Sequence, residues 1–291
     1  MDELQLADRF DRQRPHLRAV AYRILGSVSE ADDAVQEAWL RLRRTDAEQL
    51  DSLERWLTTV VARICLNMLR SRRTRGEQPL DGFLPEPIID DPVVGTDPEH
   101  EALLADAVGI ALQVVLDRLS PAERLAFVLH DMFAVSFDEI AAMVDRSPEA
   151  TRQLASRARR RVRETAPRPD SDLTRQRAVV DAYFTAAREG DLEALVAVLD
   201  PDVVLRAHRR DGDPLELHGA ARVARGAMSA RRFAPYVRPA LVNGAAGAVA
   251  FDGERPFAVL AFTVIGDRAV AIDVFNDPEL VTKLDVRGIT A

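Results

Sequence analysis

Apolar positions recur with a helical period through the first quarter of the chain. In RPHLRAVAYRILG, Leu17, Val20, Ala21, Ile24 and Leu25 fall on one face, and Gly26 ends the run. In SEADDAVQEAWLRLRR the apolar stripe is Val35, Ala38, Trp39 and Leu42. Acids (Glu30, Asp32, Asp33) open that segment and arginines (Arg41, Arg43, Arg44) close it, an order that suits the helix dipole. SLERWLTTVVARICLNMLRSRR predicts a third helix, with Ser52 as its N-cap and Trp56, Leu57, Val60, Val61, Ile64 and Met68 toward the core. These elements, from about Phe10 to Arg75, form a helical domain spanning 1–75.

The pattern then stops. Residues 76–100 carry Pro79, Pro85, Pro87, Pro92 and Pro98, which exclude a helix and predict an extended, acid-rich linker. Within it, Phe83, Leu84, Ile88 and Ile89 form an apolar knot. Helical periodicity resumes over 101–166 and ends at the polar break APRPDSD.

The last segment, 173–291, has another texture. RQRAVVDAYFTAAREG and DLEALVAVL read as helices. DVVLRAH, RPALVNG, GAVAFDG, FAVLAFTVIG and RAVAIDVF read as strands, with hairpin turns at Asn243–Gly244 and Gly266–Asp267. Helices followed by a strand meander predict an α+β domain.

Composition narrows the function classes. The chain has 291 residues and a net charge of −8, which argues against nucleic-acid binding unless cations cluster locally. They do so in SFDEIAAMVDRSPEATRQLASRARRRVRE. A short helix carries Ile140, Ala141 and Met143, a tight turn follows at Asp145–Arg146, and Ser147-Pro148-Glu149 starts a second helix. Leu154, Ala158 and Val162 are expected to anchor that helix, leaving Arg152, Gln153, Arg157, Arg160 and Arg161 outward. This is a helix-turn-helix pattern, whose second helix enters the major groove. Arginine and glutamine near its start can pair with base edges, and later arginines grip phosphates. Aspartate replaces the common glycine in the turn, but it tolerates the left-handed conformation. The single cysteine, Cys65, sits in an apolar helical run and reads as a small buried hydrophobe. With an acidic N-terminus and no long apolar stretch, a soluble cytoplasmic protein is expected.

Together these stretches resemble the bacterial extracytoplasmic-function sigma factors, in the subgroup with a C-terminal SnoaL-like domain. ADDAVQEAWLRL resembles the family's polymerase-binding helix, RWLTTVVARICLNMLRSRR its promoter-melting helix, and LDRLSPAERLAFVLHDMFAVSFDEIAAMVDRSPEATRQLASRAR its fourth region. The resemblance implies two all-α sigma domains, a helical bundle and a helix-turn-helix, joined by an extended linker, and an α+β cone barrel after them. It implies that Asp32, Asp33, Gln36 and Glu37 face the clamp of core RNA polymerase. It implies that Arg63, Asn67 and Arg70 face promoter DNA, that Arg72, Arg73 and Arg75 touch phosphates, and that the loop Arg43–Ser52 receives a flipped base. In that subgroup a linker motif and a motif near the C-terminus carry regulation. Here they correspond to DGFLPEP, with Phe83, Leu84, Pro85 and Glu86, and to NDPEL, with Asn276, Asp277, Pro278, Glu279 and Leu280. Glu279 stands where the subgroup has lysine, so its pairing with Glu86 would be repulsive; contact must then rest on Phe83, Leu84 and Pro85, or Glu86 must find an arginine.

The implied function is promoter recognition and transcription initiation, regulated by the chain's own C-terminal domain. Core polymerase and promoter DNA are the partners of a monomer, with no membrane, metal or cofactor. A small-molecule ligand in the barrel stays open. The alternative is a ligand-sensing regulator, or a SnoaL-like enzyme fused to a DNA-binding module. For the enzyme, His208, His218, Asp211, Asp213 and Asp273 are the available acid–base groups, and Asp273 lines the cavity if its strand face points inward. None pairs convincingly from sequence, so no catalytic residue is assigned.

Overall fold

The structure is a computed structural model and describes residues 3–46, 50–74, 85–91, 109–165, 170–208, 215–284, 286 and 289. It divides into two compact units. The first holds the described residues up to 74 and Gln113–Thr165; the second holds 85–91, 109–112 and the described residues from 170 onward.

In the first unit, α1 (Glu3–Leu25), α2 (Val28–Leu42) and α3 (Leu53–Thr74) pack on one another. α1 starts ahead of Phe10 and runs through Pro15. Gly26, at φ +76°, turns the chain out of it in a conformation that suits glycine. The apolar face expected for α1, Leu17, Val20, Ala21, Ile24 and Leu25, is buried throughout. Ser27 caps α2, its hydroxyl accepting from the Glu30 amide at 3.3 Å. Cys65 is buried, and burial pushes its thiol up.

Four further helices follow: α4 (Ile110–Asp117), α5 (Pro121–Phe127), α6 (Phe137–Val144) and α7 (Pro148–Thr165). A π-helical turn, Val128–Met132, follows α5. Both α5 and α6 begin with capping boxes, Ser120 with Glu123 and Ser136 with Glu139. Asp145 ends α6 in the left-handed region, φ 58° and ψ 56°, as the sequence of the turn requires.

The second unit has α8 (Leu173–Glu189), α9 (Leu192–Ala197), α10 (Ala220–Ser229) and a seven-stranded mixed sheet. Its strands are β1 (Ile89–Asp90), β2 (Leu199–His208), β3 (Leu215–His218), β4 (Val237–Val242), β5 (Ala245–Asp252), β6 (Arg255–Ile265) and β7 (Arg268–Phe275). The order is β1-β4-β5-β6-β7-β2-β3, and only β2 and β7 run parallel. The five expected strands and both hairpins are present. β1, β3, α10 and a final turn of helix, α11 (Pro278–Val281), are additions that the sequence pattern did not disclose.

One side of the sheet, with Ala248, Phe262, Val264 and Ile272, packs against Val180, Tyr183 and Phe184 of α8 and Val223 of α10. The other side, with Val242, Val249, Val259 and Phe275, is covered by Ile89, Ile110, Leu284 and Ile289. Both sides are therefore dry, which explains why β5 and β6 read as near-continuous apolar runs and do not alternate.

Candidate nucleic-acid interface

On α2, Asp32, Asp33 and Gln36 are exposed and Glu37 is half-buried, so the four share one outward face. Asp32 is held by Arg18 of α1, and Glu37 accepts from Arg41 at 3.0 Å. On α3, Arg63, Asn67 and Arg70 are exposed at helical spacing. Arg72 departs from its expected role. It is largely buried, ion-paired to Glu30 and donating to the Leu25 carbonyl at 3.3 Å. It ties α3 to the α1–α2 junction, and a guanidinium so engaged does not reach a phosphate. The side chains of Arg73 and Arg75 lie outside the described residues, as do positions 47–49 of the Arg43–Ser52 loop.

On α7 the anchoring face is Thr151, Ala155 and Ala158, all buried. Leu154 and Val162, expected to anchor it, are only half-buried. Ala158 belongs to both sets, so the buried face is turned only slightly from the expected one, onto the small side chains of Thr151 and Ala155. Arg152, Gln153, Arg157, Arg160 and Arg161 are exposed, as the pattern requires. The Arg152 guanidinium lies 5.6 Å from the Phe137 ring centroid and 3.5 Å from Glu149. Arg157 and Arg161 each lie 3.4 Å from Glu123, the buried N3 residue of the first capping box. Burial pushes the Glu123 carboxyl up. Hydrogen bonding with Ser120 and the charges of Arg161 and Arg157 outweigh that and hold it below the ordinary glutamate value.

The first unit brings these two arginine-bearing surfaces face to face. Arg63 donates to the Ala142 carbonyl at 3.1 Å, and Arg55 lies 3.7 Å from Glu139. Beyond them is a cleft of about 660 Å³, with Arg70 and Thr74 on one wall and Arg146, Gln153 and Arg157 on the other. A cleft of that size suits a small molecule and is too small for a DNA duplex. A buried latch supports the arrangement. Gln113 donates to the Tyr22 carbonyl at 3.3 Å, while Arg124, paired with Asp117, reaches the Arg23 carbonyl at 3.5 Å. These carbonyls end α1, where a guanidinium also complements the helix dipole. Sequence reasoning missed Gln113 and Arg124, because nothing in their local pattern distinguishes an inward arginine from a solvated one.

In the second unit, Pro85 and Pro87 are buried and Glu86 is half-buried; Phe83 and Leu84 lie outside the described residues. Among the described linker residues, the backbone of 88–90 is held as well. The Ile88 amide donates to Asn243 Oδ1 at 2.9 Å, and the Asn243 amide returns a bond to the Ile88 carbonyl at 2.8 Å. Ile89 pairs with Val242 and Asp90 with Leu241, so the linker adds an antiparallel edge strand to the sheet. At the other motif, Asp277 caps α11, its carboxylate accepting from the amides of Glu279 and Leu280 at 2.8 and 3.0 Å. Leu280 packs on the cluster that holds Ile89 and Phe275. The linker just beyond the first motif thus shares a core with the second motif through Ile89 and Leu280.

Asp273 does not line the helix-covered side of the sheet. It sits beside Ala261 on the face covered by the linker, fully buried, with Arg206 at 3.7 Å. Arg206 also lies 3.7 Å from Glu216, whose other neighbour is His218 at 3.4 Å. Tyr183 lies in the helix-covered cluster, where burial pushes its phenol up and it meets Phe184 and Phe262 edge to face. Asp211, Asp213 and the His208 side chain lie outside the described residues.

Comparison with known proteins places these surfaces in context. Residues 9–75 match the model of Sigma-70 region 2, and residues 110–162 match Sigma-70, region 4. The chain is 37% identical over 289 residues to the ECF RNA polymerase sigma factor SigJ of Mycobacterium tuberculosis, covering 94% of this chain and 92% of that one. It is 34% identical over 274 residues to the probable ECF RNA polymerase sigma factor SigI of the same species, covering 93% of each. The crystal structure of M. tuberculosis extracytoplasmic function sigma factor SigJ superposes with a TM-score of 0.76 at 33% identity, covering 96% of this chain and 99% of that one.

Proposed function

Since the chain belongs to the extracytoplasmic-function RNA polymerase sigma factors and serves promoter recognition and transcription initiation, we propose that its own C-terminal unit regulates it by capturing the linker between the two sigma regions. The observation that carries this reading is the pairing of β1 with β4. A linker bonded into the sheet is not free to follow another path, and its capture restrains both sigma regions that it joins. Burial of Ile88 and Ile89 contributes on the order of 3–6 kcal/mol gross, enough to bias such an equilibrium.

Promoter use then requires two releases. The linker leaves β4, and α3 parts from α7 so that duplex DNA reaches both. Arg63, Asn67 and Arg70 on α3, and Arg152, Gln153, Arg157, Arg160 and Arg161 on α7, make the DNA contacts in this reading. Asp32, Asp33, Gln36 and Glu37 meet the polymerase clamp. The protein acts as a monomer in the cytoplasm. Its C-terminal unit acts by holding the linker and not by catalysis in this reading; the cluster around Tyr183 and Phe262 is apolar, and a small-molecule ligand of that unit stays open.

Reconstitution with bacterial core polymerase tests the reading. The full chain and a chain ending at Thr165 are compared in promoter opening. The truncated chain is expected to open promoters with altered efficiency. Identical activity of the two would overturn regulation by capture.

A further inference from the structure

The cleft between α3 and α7 has a composition that promoter reading does not explain. Three guanidiniums converge on it, Arg70 from one sigma region and Arg146 and Arg157 from the other. No aspartate or glutamate lines it. Among the described residues, Arg70 and Arg146 have no ion-pair partner, and Arg157 shares Glu123 with Arg161. Bringing like charges together across a closing cleft is unfavourable, so the closed arrangement carries an electrostatic cost that an anion would remove. The remaining walls supply what a small anionic ligand needs. Thr74 and Gln153 offer hydrogen bonds, and Pro121, Ala122 and Leu154 offer an apolar side. The volume, about 660 Å³, is in the ordinary range for small-molecule sites.

We propose that this cleft binds a small oligophosphate, which bridges Arg70 and Arg146 and so holds the two sigma regions closed. Phosphate oxygens match the planar donor fork of guanidinium groups, and a phosphate chain carries the multiple charges that several arginines need. Three separated cations select several linked phosphates over one. Only the closed arrangement presents all three cations together, so the ligand binds that state preferentially and shifts the population toward it. Occupancy therefore opposes promoter binding, which uses Arg70, Gln153 and Arg157 in the open state. The inference goes beyond the capture of the linker and does not depend on it.

The test is calorimetric titration of the full chain with inorganic tripolyphosphate, and in parallel with orthophosphate and with ATP. Saturable one-to-one binding of tripolyphosphate is expected, at least about tenfold tighter than orthophosphate. Arg70→Ser and Arg146→Ser, on opposite walls, are each expected to weaken it by about tenfold or more. Arg268→Ser, an exposed arginine of the second unit, is expected to leave it unchanged. ATP binding more tightly than tripolyphosphate identifies a nucleotide as the source, and equal binding identifies the phosphate chain alone; either supports the site. The proposal is overturned if no saturation occurs below about 1 mM, or if Arg268→Ser weakens binding as much as the cleft variants. It is also overturned if Arg146→Ser acts while Arg70→Ser does not, since the ligand then needs no closed cleft. Binding of a short duplex through Arg146 and Arg157, with no binding of tripolyphosphate, would assign the arginines to DNA alone. Each variant's melting temperature is measured beside its affinity, and promoter opening by the unliganded chain separates failure here from failure of the sigma reading.

Discussion

Replacing Asn243 by glycine separates the linker's side-chain hydrogen bond from the strain of the turn that carries it. Asn243 has φ 51°, so alanine there would add backbone strain, whereas glycine relieves it. Glycine also keeps the backbone bond from position 243 to the Ile88 carbonyl. What it removes is the Oδ1 acceptor, 2.9 Å from the buried Ile88 amide. Leaving that amide unpaired in a site shielded from water costs about 1–3 kcal/mol, which lowers the docked-to-released ratio of the linker roughly 5- to 150-fold. Hydrogen exchange reads this directly. Amides of residues 88–90 are expected to lose protection by such a factor in Asn243→Gly, while amides of β6 and β7 hold theirs. A change of less than about twofold at 88–90 would show that the side chain does not hold the linker. An equal loss in β6 and β7 would show general destabilisation of the sheet, and would refute local release as well.

Arg124→Met removes the ion pair to the nearly buried Asp117 and one of the donors at the end of α1, so the first unit should lose about 3 kcal/mol. Both tryptophans, Trp39 and Trp56, lie in that unit, so their fluorescence in urea measures it; the exposed Arg14–Asp11 pair, broken by Arg14→Ala, should cost less than about 1 kcal/mol. The Glu123 carboxyl titrates below its ordinary value of 4.5, so its contribution is complete above that value and is lost as pH falls through the lower, folded one. Stability of the first unit should therefore fall on acidification below about pH 4.5, less steeply in Glu123→Gln. Arg152→Ala should relax base preference at one promoter position by about 1–3 kcal/mol, whereas Arg161→Ala should weaken all sequences alike and reduce the salt slope by about one.

The α-helices of the sigma regions, the capped start of α7, the left-handed turn at Asp145 and the hairpins of the sheet were legible in the sequence, because each is set by residues within a turn or two of one another. Repeats such as Leu17–Ala21–Leu25 and caps such as Ser136 with Glu139 are local facts, and side-chain spacing alone orients Arg63, Asn67 and Arg70 together. The partners of the polar and extended segments were decided only in three dimensions. Arg72 and Arg161 are both arginines on basic helices, yet one is drawn inward to Glu30 and the other stays exposed. Sequence spacing does not tell them apart, because the difference lies in which element packs alongside. The linker is the clearest case. A strand of two residues has no periodicity to read, and its grip depends on an asparagine 155 positions away. Composition announced that residues 85–91 are extended, since proline forbids a helix there. That they complete the edge of another domain's sheet follows from unpaired backbone on β4 and an apolar face that Ile89 can cover, and both exist only once the chain has folded.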